Sequence, residues 1–365
     1  MNFRLLFTVL ILIALFSLFY LWTRFHRFSF IMKVAEKRKA VSWLFAAIPI
    51  LVIVYAAYLE PVSTVVVLLH LLVVWLIADL TGWIVRKISG RTWIRYWQGL
   101  AAIVFTLVYM SCGWYIAHNV VRTDYHVTSA KCTENLRVVM LADAHIGANF
   151  DGEGFRKHVE EIQKTNPDLV VIAGDFVDDD SKKEDVAVAC DALGKLQTRY
   201  GVYYVYGNHD KGYFSYRNFN ADELAMELKK NNVTILEDES IPIGDDVILI
   251  GRQDRSVSSR ADMKTLIKGM NKDKYIIVAD HQPNDYEAEK DSGVDLVLSG
   301  HTHGGWLFPM NIISSYTGPD DMVYGMKTAG NTTFLVTSGI SDWALPFKTG
   351  TVSEYVVVDI SAKNK

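Results

Sequence analysis

Four long apolar stretches in the first 121 residues most constrain what this chain can fold into. They cover about residues 5–22, 41–59, 62–85 and 97–121. Each approaches or exceeds the ~20 residues that a helix needs to cross a hydrocarbon core of ~30 Å. Because lipid offers no water to the backbone groups, such stretches must be helical. The sequence therefore predicts an all-α module of four transmembrane helices over residues 1–121.

The short loops between these stretches predict how the module is oriented. Residues 23–40 and 86–96 are rich in Lys and Arg, including Arg91, whereas the turn at Glu60 and Pro61 contains neither. Basic loops stay on the cytoplasmic side of a membrane. We therefore expect a multi-pass integral membrane protein whose C-terminal domain is extracytoplasmic.

Two ionisable side chains, His70 and Asp79, fall inside the third apolar stretch. Such groups line a polar pathway or a lipid-headgroup site, or they form hydrogen bonds between helices. Because only two of them occur, we favour hydrogen bonds between helices or snorkelling of these side chains towards the basic loop.

Charge is divided unevenly along the chain. Residues 1–124 hold 12 Lys or Arg and 4 Asp or Glu, so the whole-chain charge of −4 leaves −12 for the remainder. Binding to a phosphate backbone needs a basic surface, which argues against nucleic acid as a partner.

The three cysteines, Cys112, Cys132 and Cys190, show no spacing typical of a disulfide framework, although a pairing of the last two stays open. Nothing in the sequence indicates an oligomeric state.

From Leu136 onward, strand-like apolar runs alternate with amphipathic segments. Predicted strands cover residues 136–141, 169–173, 202–206, 233–236, 247–250, 275–279, 296–298, 334–337 and 355–359, and predicted helices cover 154–166, 184–200, 221–231 and 260–270. This alternation predicts a layered α/β domain over residues 136–360, with central β-sheets flanked by helices. Residues 122–135 are predicted to be a linker.

Five short polar blocks each follow a predicted strand. They are Asp143-Ala144-His145, Gly174-Asp175, Gly207-Asn208-His209-Asp210, His281 and Gly300-His301-Thr302-His303. Ligands of α/β sheets bind at the carboxyl ends of strands, where these blocks lie. Carboxylate and amide oxygens mixed with imidazole nitrogens suit Mn, Fe or Zn. The blocks therefore predict a metal site.

The number of donors predicts two divalent ions. Eight side chains carry donor atoms: Asp143, His145, Asp175, Asn208, His209, His281, His301 and His303. One tetrahedral ion needs about four ligands, so we expect two ions about 3.5–4 Å apart with Asp175 as the bridging carboxylate. Two such ions would supply hydroxide at neutral pH and neutralise charge on a phosphoryl group under attack.

The order D-x-H, G-D, G-N-H-D, H and G-H-T-H resembles that of the calcineurin-like metallophosphoesterases. Residues 298–305 (LSGHTHGG) and 336–340 (VTSGI) resemble their bacterial membrane-associated branch. The resemblance covers about residues 136–360 and leaves out the membrane module. It implies a metal-dependent phosphoric ester hydrolase with the layered α/β fold of that family.

The resemblance also implies a role for each site residue. Asp143, His145, Asp175 and His303 would hold the first ion, and Asp175, Asn208, His281 and His301 would hold the second. His209 would bind the phosphate and act as a possible general acid. Asp210 would orient His209.

Three further segments leave alternatives open. For residues 178–180 (DDD) we favour helix capping or a solvated acidic turn over metal binding. Residues 211–217 (KGYFSYR) line the substrate entrance or simply pack as a loop. Trp306 and residues 343–347 (WALPF) contact the membrane or a lipid substrate, or pack, and we favour packing.

These observations predict a membrane-anchored phosphoesterase that hydrolyses phosphate monoesters or diesters through attack by metal-bound hydroxide. The bilayer and a phosphate ester are its expected partners, and lipid-linked phosphates or pyrophosphates lie within reach of a membrane anchor. One alternative is a non-catalytic metal-binding receptor or structural membrane protein. Another is a cytoplasmic-facing nucleotide-sugar lipid pyrophosphatase, if the topology is reversed.

Overall fold

The computed structural model describes residues 3–90, 95–212, 217–343 and 345–363. The chain divides into two compact units, Met1–Cys112 and Gly113–Lys365. This division lies ahead of the boundary predicted at residue 121. Arg91, one of the basic residues used to predict the topology, lies outside the described residues.

Helices form the first unit. They are α1 (Phe3–Phe25), α2 (Ser29–Ala35), α3 (Lys39–Leu59), α4 (Pro61–Ser89) and α5 (Trp97–His118), whose last turns belong to the second unit. Within the described residues, α3, α4 and α5 are long and apolar enough to cross a membrane, whereas the apolar part of α1, Ile11–Phe25, is shorter. The predicted spans at residues 41–59, 62–85 and 97–121 are thus observed as candidates, and the span at residues 5–22 stays a prediction.

The Asp79 carboxylate joins elements of the first unit through hydrogen bonds. It accepts from Tyr20 Oη at 2.9 Å and Tyr96 Oη at 2.6 Å, and Arg24 Nε lies 2.8 Å away. His70 Nδ1 lies 2.7 Å from a backbone carbonyl one turn earlier in its own helix. The predicted hydrogen bonds between elements are therefore observed for Asp79, whereas the bond of His70 stays within its own helix.

Two six-stranded sheets form the centre of the second unit. The strands are β1 (Val121–Ser129), β2 (Leu136–Leu141), β3 (Leu169–Ala173), β4 (Val202–Val205), β5 (Val233–Ile235), β6 (Glu239–Ile243), β7 (Val247–Gly251), β8 (Tyr275–Ala279), β9 (Leu296–Ser299), β10 (Gly325–Ala329), β11 (Thr332–Val336) and β12 (Glu354–Ala362). The first sheet has the order β1-β12-β2-β3-β4-β5, and the second has the order β10-β11-β9-β8-β7-β6.

Alternating side chains place the core between these sheets and on both outer faces. In β2, Val138 and Met140 join a cluster that includes residues of the second sheet, whereas Val139 and Leu141 face helices. The helices are α6 (Gly152–Gln163), α7 (Lys183–Gly194), α8 (Ala221–Lys230), α9 (Met263–Leu266), α10 (Tyr286–Ser292) and α11 (Met310–Thr317). Side chains of a strand alternate between faces, so one strand serves both layers. The predicted mixed α/β architecture is confirmed.

The predicted linker is wrong over most of its length. Residues 121–129 form β1, which pairs in parallel with β12 from Val121↔Glu354 to Ser129↔Ala362. Its side chains alternate between exposed and half-buried positions because one face, which includes Tyr125 and Val127, packs on the core while the other faces solvent. The sequence also failed to predict β6, β10, α10 and α11, and α7 ends at Gly194 rather than residue 200.

Candidate metal centre

Each of the five polar blocks follows a strand, as predicted. Three follow β2, β3 and β4 of the first sheet, and two follow β8 and β9 of the second. The structure brings their side chains into two groups whose donor atoms lie within 4.8 Å of one another: Asp143, His145 and His303, and Asp175, His281 and His301. Asn208 joins the second group, since its Oδ1 lies 3.1 Å from His281 Nε2.

Asp175 lies between the two groups. Its Oδ2 is 3.1 Å from His281 Nε2 in one group and 3.8 Å from His145 Nε2 in the other. His303 Nε2 faces Asp143 Oδ1 at 4.0 Å. All of these side chains are buried. The geometry fits a bridging carboxylate at Asp175.

In three of the histidines Nε2 faces the donor groups, and Nδ1, on the other side of the ring, lies near an oxygen atom. His281 Nδ1 lies 2.8 Å from the Ala173 carbonyl oxygen. His145 Nδ1 lies 3.6 Å from Asp178 Oδ2, and His303 Nδ1 lies 3.5 Å from Asp342 Oδ1. Such partners fix the orientation of a ligating imidazole and raise its basicity.

Asp178 and Asp342 face candidate ligands, and sequence reasoning did not predict these contacts. Asp179 and Asp180 lie in a turn and Asp180 is exposed, as expected, but Asp178 and Asp179 are buried, and none of the three caps α7, which begins at Lys183. Asp342 is also fully buried, and its Oδ1 lies 3.2 Å from the buried ammonium group of Lys348. The sequence around these residues gave no signal of such contacts. Asp178 is one of three consecutive Asp, and Asp342 is an isolated Asp six residues before Lys348.

Five candidate ligands adopt the left-handed backbone conformation, with positive φ. They are Asp143 (φ 55°), His145 (38°), Asp175 (52°), His301 (73°) and His303 (48°). This conformation is strained for residues with a side chain and concentrates at functional sites. The strain indicates that the surrounding fold, rather than local preference, aims these side chains.

Glycines before the ligands permit the close approach of neighbouring turns. A Cβ on Gly207 would lie 2.2 Å from Asp175 Oδ1 and 2.4 Å from its backbone nitrogen. Gly174 has φ +85°, and a Cβ there would lie 2.5 Å from His281 Nδ1. Any side chain at either position would displace a candidate ligand.

The donor set fits divalent metal ions. Among the described residues, Nε2 of buried His145, which faces Asp175 Oδ2 at 3.8 Å, has no hydrogen-bond partner. Burial lowers the pKa of His301 and of His303 to about 3, so both imidazoles are neutral at pH 7, which is the form that binds metal. Burial opposes the charged form of His281 as well, but the Asp175 carboxylate outweighs it and raises the pKa of His281.

His209 lines a cavity of about 280 Å³ beside the two groups. Asp175, His301, Trp306, Trp343 and Ser314 are among the other lining residues. The His209 ring packs against the rings of His145 and Trp343, at centroid distances of 5.1 and 5.0 Å. Burial lowers the pKa of His209. The His209 side chain thus lies between the donor groups and the open cavity.

Asp210 braces the turns that carry the ligands. Its carboxylate accepts backbone hydrogen bonds from Asp175 (2.9 Å), Phe176 (2.8 Å), Val177 (3.1 Å) and Gly207 (2.6 Å). Burial, reinforced by the Asp175 charge, raises the pKa of Asp210 to about 6. Asp210 therefore acts as a positioning residue for two blocks, and the predicted orientation of His209 by Asp210 stays a prediction.

The remaining alternatives are resolved in part. The Trp306 ring stacks on His303 with centroids 5.0 Å apart, whereas Trp343 is 43% exposed at the cavity. Residues 213–216, the centre of the predicted entrance segment, lie outside the described residues, as does Ala344. Arg217 donates to the Asp210 carbonyl oxygen at 2.8 Å.

Cys132 and Cys190 are free thiols, so the pairing left open does not occur.

Residues 136–305 match the calcineurin-like phosphoesterase family. A similar protein is an uncharacterized metallophosphoesterase of Helicobacter pylori, 30% identical over 64% of this chain and 62% of its own length. A transmembrane protein with metallophosphoesterase domain of Bos taurus is 29% identical over 62% of this chain and 53% of that protein. The chain thus spans less than two thirds of these relatives.

Solved structures are similar over part of the chain. A dimetal phosphatase from Danio rerio has a TM-score of 0.37 and 11% identity, covering 55% of this chain and 86% of that chain. The sequence-based recognition of the family is confirmed by the family match and the relatives. Residues 136–305 are thus similar to calcineurin-like phosphoesterases, as the order of the five polar blocks predicted.

Proposed function

We propose that this protein is a membrane-anchored phosphoesterase with a dinuclear metal centre. The observation that carries the proposal is the position of Asp175 between two largely buried donor groups, facing a histidine of each. One carboxylate shared by two such groups is what two adjacent ions require. A single structural ion needs about four ligands, so it would leave the donor atoms of the other group without a metal to bind.

Seven side chains are proposed as ligands. Asp143, His145, Asp175 and His303 would hold one ion, and Asp175, Asn208, His281 and His301 would hold the other. When bound, the ions supply a water of lowered pKa and neutralise phosphoryl charge. The mixed oxygen and nitrogen donors suit Mn, Fe or Zn.

The protein's own groups position the ester and exclude water. His209 is proposed to donate a hydrogen bond to a phosphoryl oxygen and to protonate the leaving oxygen, because its ring lines the cavity next to both donor groups. Trp306 and Trp343 form apolar walls of the same cavity. Asp178 and Asp342 would keep His145 and His303 in the orientation that binds metal.

The proposed substrates are phosphate monoesters and diesters. Lipid-linked phosphates and pyrophosphates are included, since apolar helices would confine the site to the neighbourhood of a bilayer. We further propose that the site faces the extracytoplasmic side, on the basis of the basic loops. Four spans are part of this proposal.

The purified chain is expected to hydrolyse p-nitrophenyl phosphate or its bis ester with Mn²⁺, and a chelator should abolish the reaction. Asp175→Ala and Asn208→Ala should each lower kcat/KM by more than about 100-fold, because each removes a metal ligand. Asp191→Ala, which removes an exposed carboxylate paired with Lys195, is the matched control and should retain activity. Full activity in Asp175→Ala would overturn the proposal.

A further inference from the structure

An uncharged, apolar helix lies exposed at the C-terminal unit. Residues 304–319 contain no Asp, Glu, Lys or Arg. Within them, α11 has no buried residue, and Ile312, Ile313 and Tyr316 are exposed by 48%, 44% and 86%. Phe308 and Met310 extend the same exposed apolar surface. Clustered exposed apolar side chains mark an interaction surface rather than ordinary solvent contact.

The other side of this helix forms part of the proposed active-site cavity. Ser314 and Gly318 line that cavity together with Asp175 and His209. The exposed apolar surface of α11 is therefore the outer side of the cavity rim. Whatever covers this surface lies at the mouth of the site.

Hydrogen bonds connect α11 to the end of an apolar helix. Lys348 N donates to the Gly113 carbonyl oxygen of α5 at 3.0 Å. Two residues further, Gly350 N donates to the Trp306 carbonyl oxygen at 2.9 Å, and the Asn311 side chain donates to the Gly350 carbonyl oxygen at 3.2 Å. One short loop thus holds both the last turns of α5 and the start of α11. Since α5 is long and apolar enough to span a membrane, α11 is tied close to where that span would leave the bilayer.

We propose that α11 rests on the bilayer with Ile312, Ile313 and Tyr316 in the interfacial layer. An uncharged helix with exposed Ile, Met, Phe and Tyr gains from burial at the boundary between headgroups and acyl chains, and Tyr is typical of that boundary. A charged partner surface would find no complementary group on residues 304–319. The cavity then opens at the membrane surface, and, on the proposed function, the site takes phosphate esters of amphiphilic molecules whose apolar part stays in the bilayer.

Lipid contact can be measured without any enzymatic activity. The full chain, with Cys112→Ser to remove the exposed thiol, receives Ile312→Cys or Tyr316→Cys, an environment-sensitive NBD label and phosphatidylcholine–phosphatidylglycerol vesicles. Lipids bearing doxyl groups should quench both labels by more than about half, because an interfacial helix lies within ~10 Å of the acyl boundary.

The matched control is Met226→Cys on α8. Met226 is 62% exposed, and α8 packs beside β5, at the opposite edge of the first sheet from β1 and β12, near which α5 ends. Its label should remain in water and unquenched. Equal quenching at 226 and 312, or none at 312, would overturn the proposal. A blue-shifted label at 312 that doxyl lipid does not reach would also overturn it, since a protein would then cover the helix.

The substrate class is tested in the same vesicles. The chain is given dioleoyl phosphatidic acid in vesicles or soluble glycerol 3-phosphate, and the vesicle substrate should show the higher kcat/KM. Equal use of both, with p-nitrophenyl phosphate still hydrolysed, would overturn the amphiphilic class and leave the proposed function intact. If quenching occurs but no ester is hydrolysed, the lipid contact stands and the proposed function fails.

Discussion

At the scale of single residues, Asp210 shows how one carboxylate holds a site together. Four backbone N–H groups from two blocks donate to it in a fully buried position. Asp210→Ala should lower the free energy of unfolding by about 3 kcal/mol or more, since each buried donor left without a partner costs about 1–3 kcal/mol. Denaturant unfolding of the detergent-solubilised chain measures this change.

Asp210→Asn separates bracing from charge. It keeps one acceptor oxygen, so its loss of stability should be smaller than that of Asp210→Ala, and Mn²⁺ affinity should fall less. If Asp210→Ala unfolded at the same denaturant concentration as the wild type, the bracing role would be wrong.

The candidate ligands could be predicted from sequence because their residue types and order are local features of the chain. Asp178 and Asp342 could not, because their role depends on which histidine each one faces across the fold. The positive φ of residues such as His145 and His301 was equally hidden. Such strain is imposed by long-range packing, which a local pattern does not report.

At the scale of elements, Arg137 and Asp359 join the neighbouring antiparallel strands β2 and β12. The two residues are opposite each other in register, and the guanidinium donates at 2.7 and 3.0 Å. The hydrogen bonds from Arg137 hold the pKa of Asp359 below its ordinary value. Asp359→Asn should cost about 1 kcal/mol at pH 7, the upper end for a partly exposed pair.

The pH dependence of this pair has a definite sign. A depressed folded-state pKa stabilises the protein above the unfolded-state value of about 3.9, and the contribution disappears as pH falls through the folded-state pKa. The difference between wild type and Asp359→Asn in urea unfolding should therefore shrink below about pH 4. Asp191→Asn, in an exposed pair with Lys195, serves as control. A difference that grew on acidification would contradict the assignment.

Strands with continuous apolar runs, such as β3 and β8, could be predicted because burial on both faces leaves a clear sequence signal. The edge strand β1 could not, since VRTDYHVTS contains two charged residues and a histidine and only three apolar residues, and it exposes every second side chain. Helix α11 was missed because a helix with no buried residue lacks an apolar stripe facing a core.

At the scale of the whole molecule, the basic loops predict on which side of the membrane the C-terminal unit lies. Alkaline phosphatase fused after Ile360 should be active, since that enzyme folds only outside the cytoplasm. Fusion within residues 23–40 should be inactive and provides the control. An inactive fusion after Ile360 would place the site inside and favour the alternative of a cytoplasmic lipid pyrophosphatase.

The central claim is that Asp175 joins two metal ions in one site. Calorimetric titration of the metal-free chain with Mn²⁺ should give two ions bound per chain, and Asp175→Asn should weaken both, because its carboxylate faces both donor groups. Asp191→Asn should bind as the wild type does. Two ions in the wild type with joint weakening in Asp175→Asn is the result we predict, and one ion per chain, or two whose affinities ignore Asp175, would contradict it.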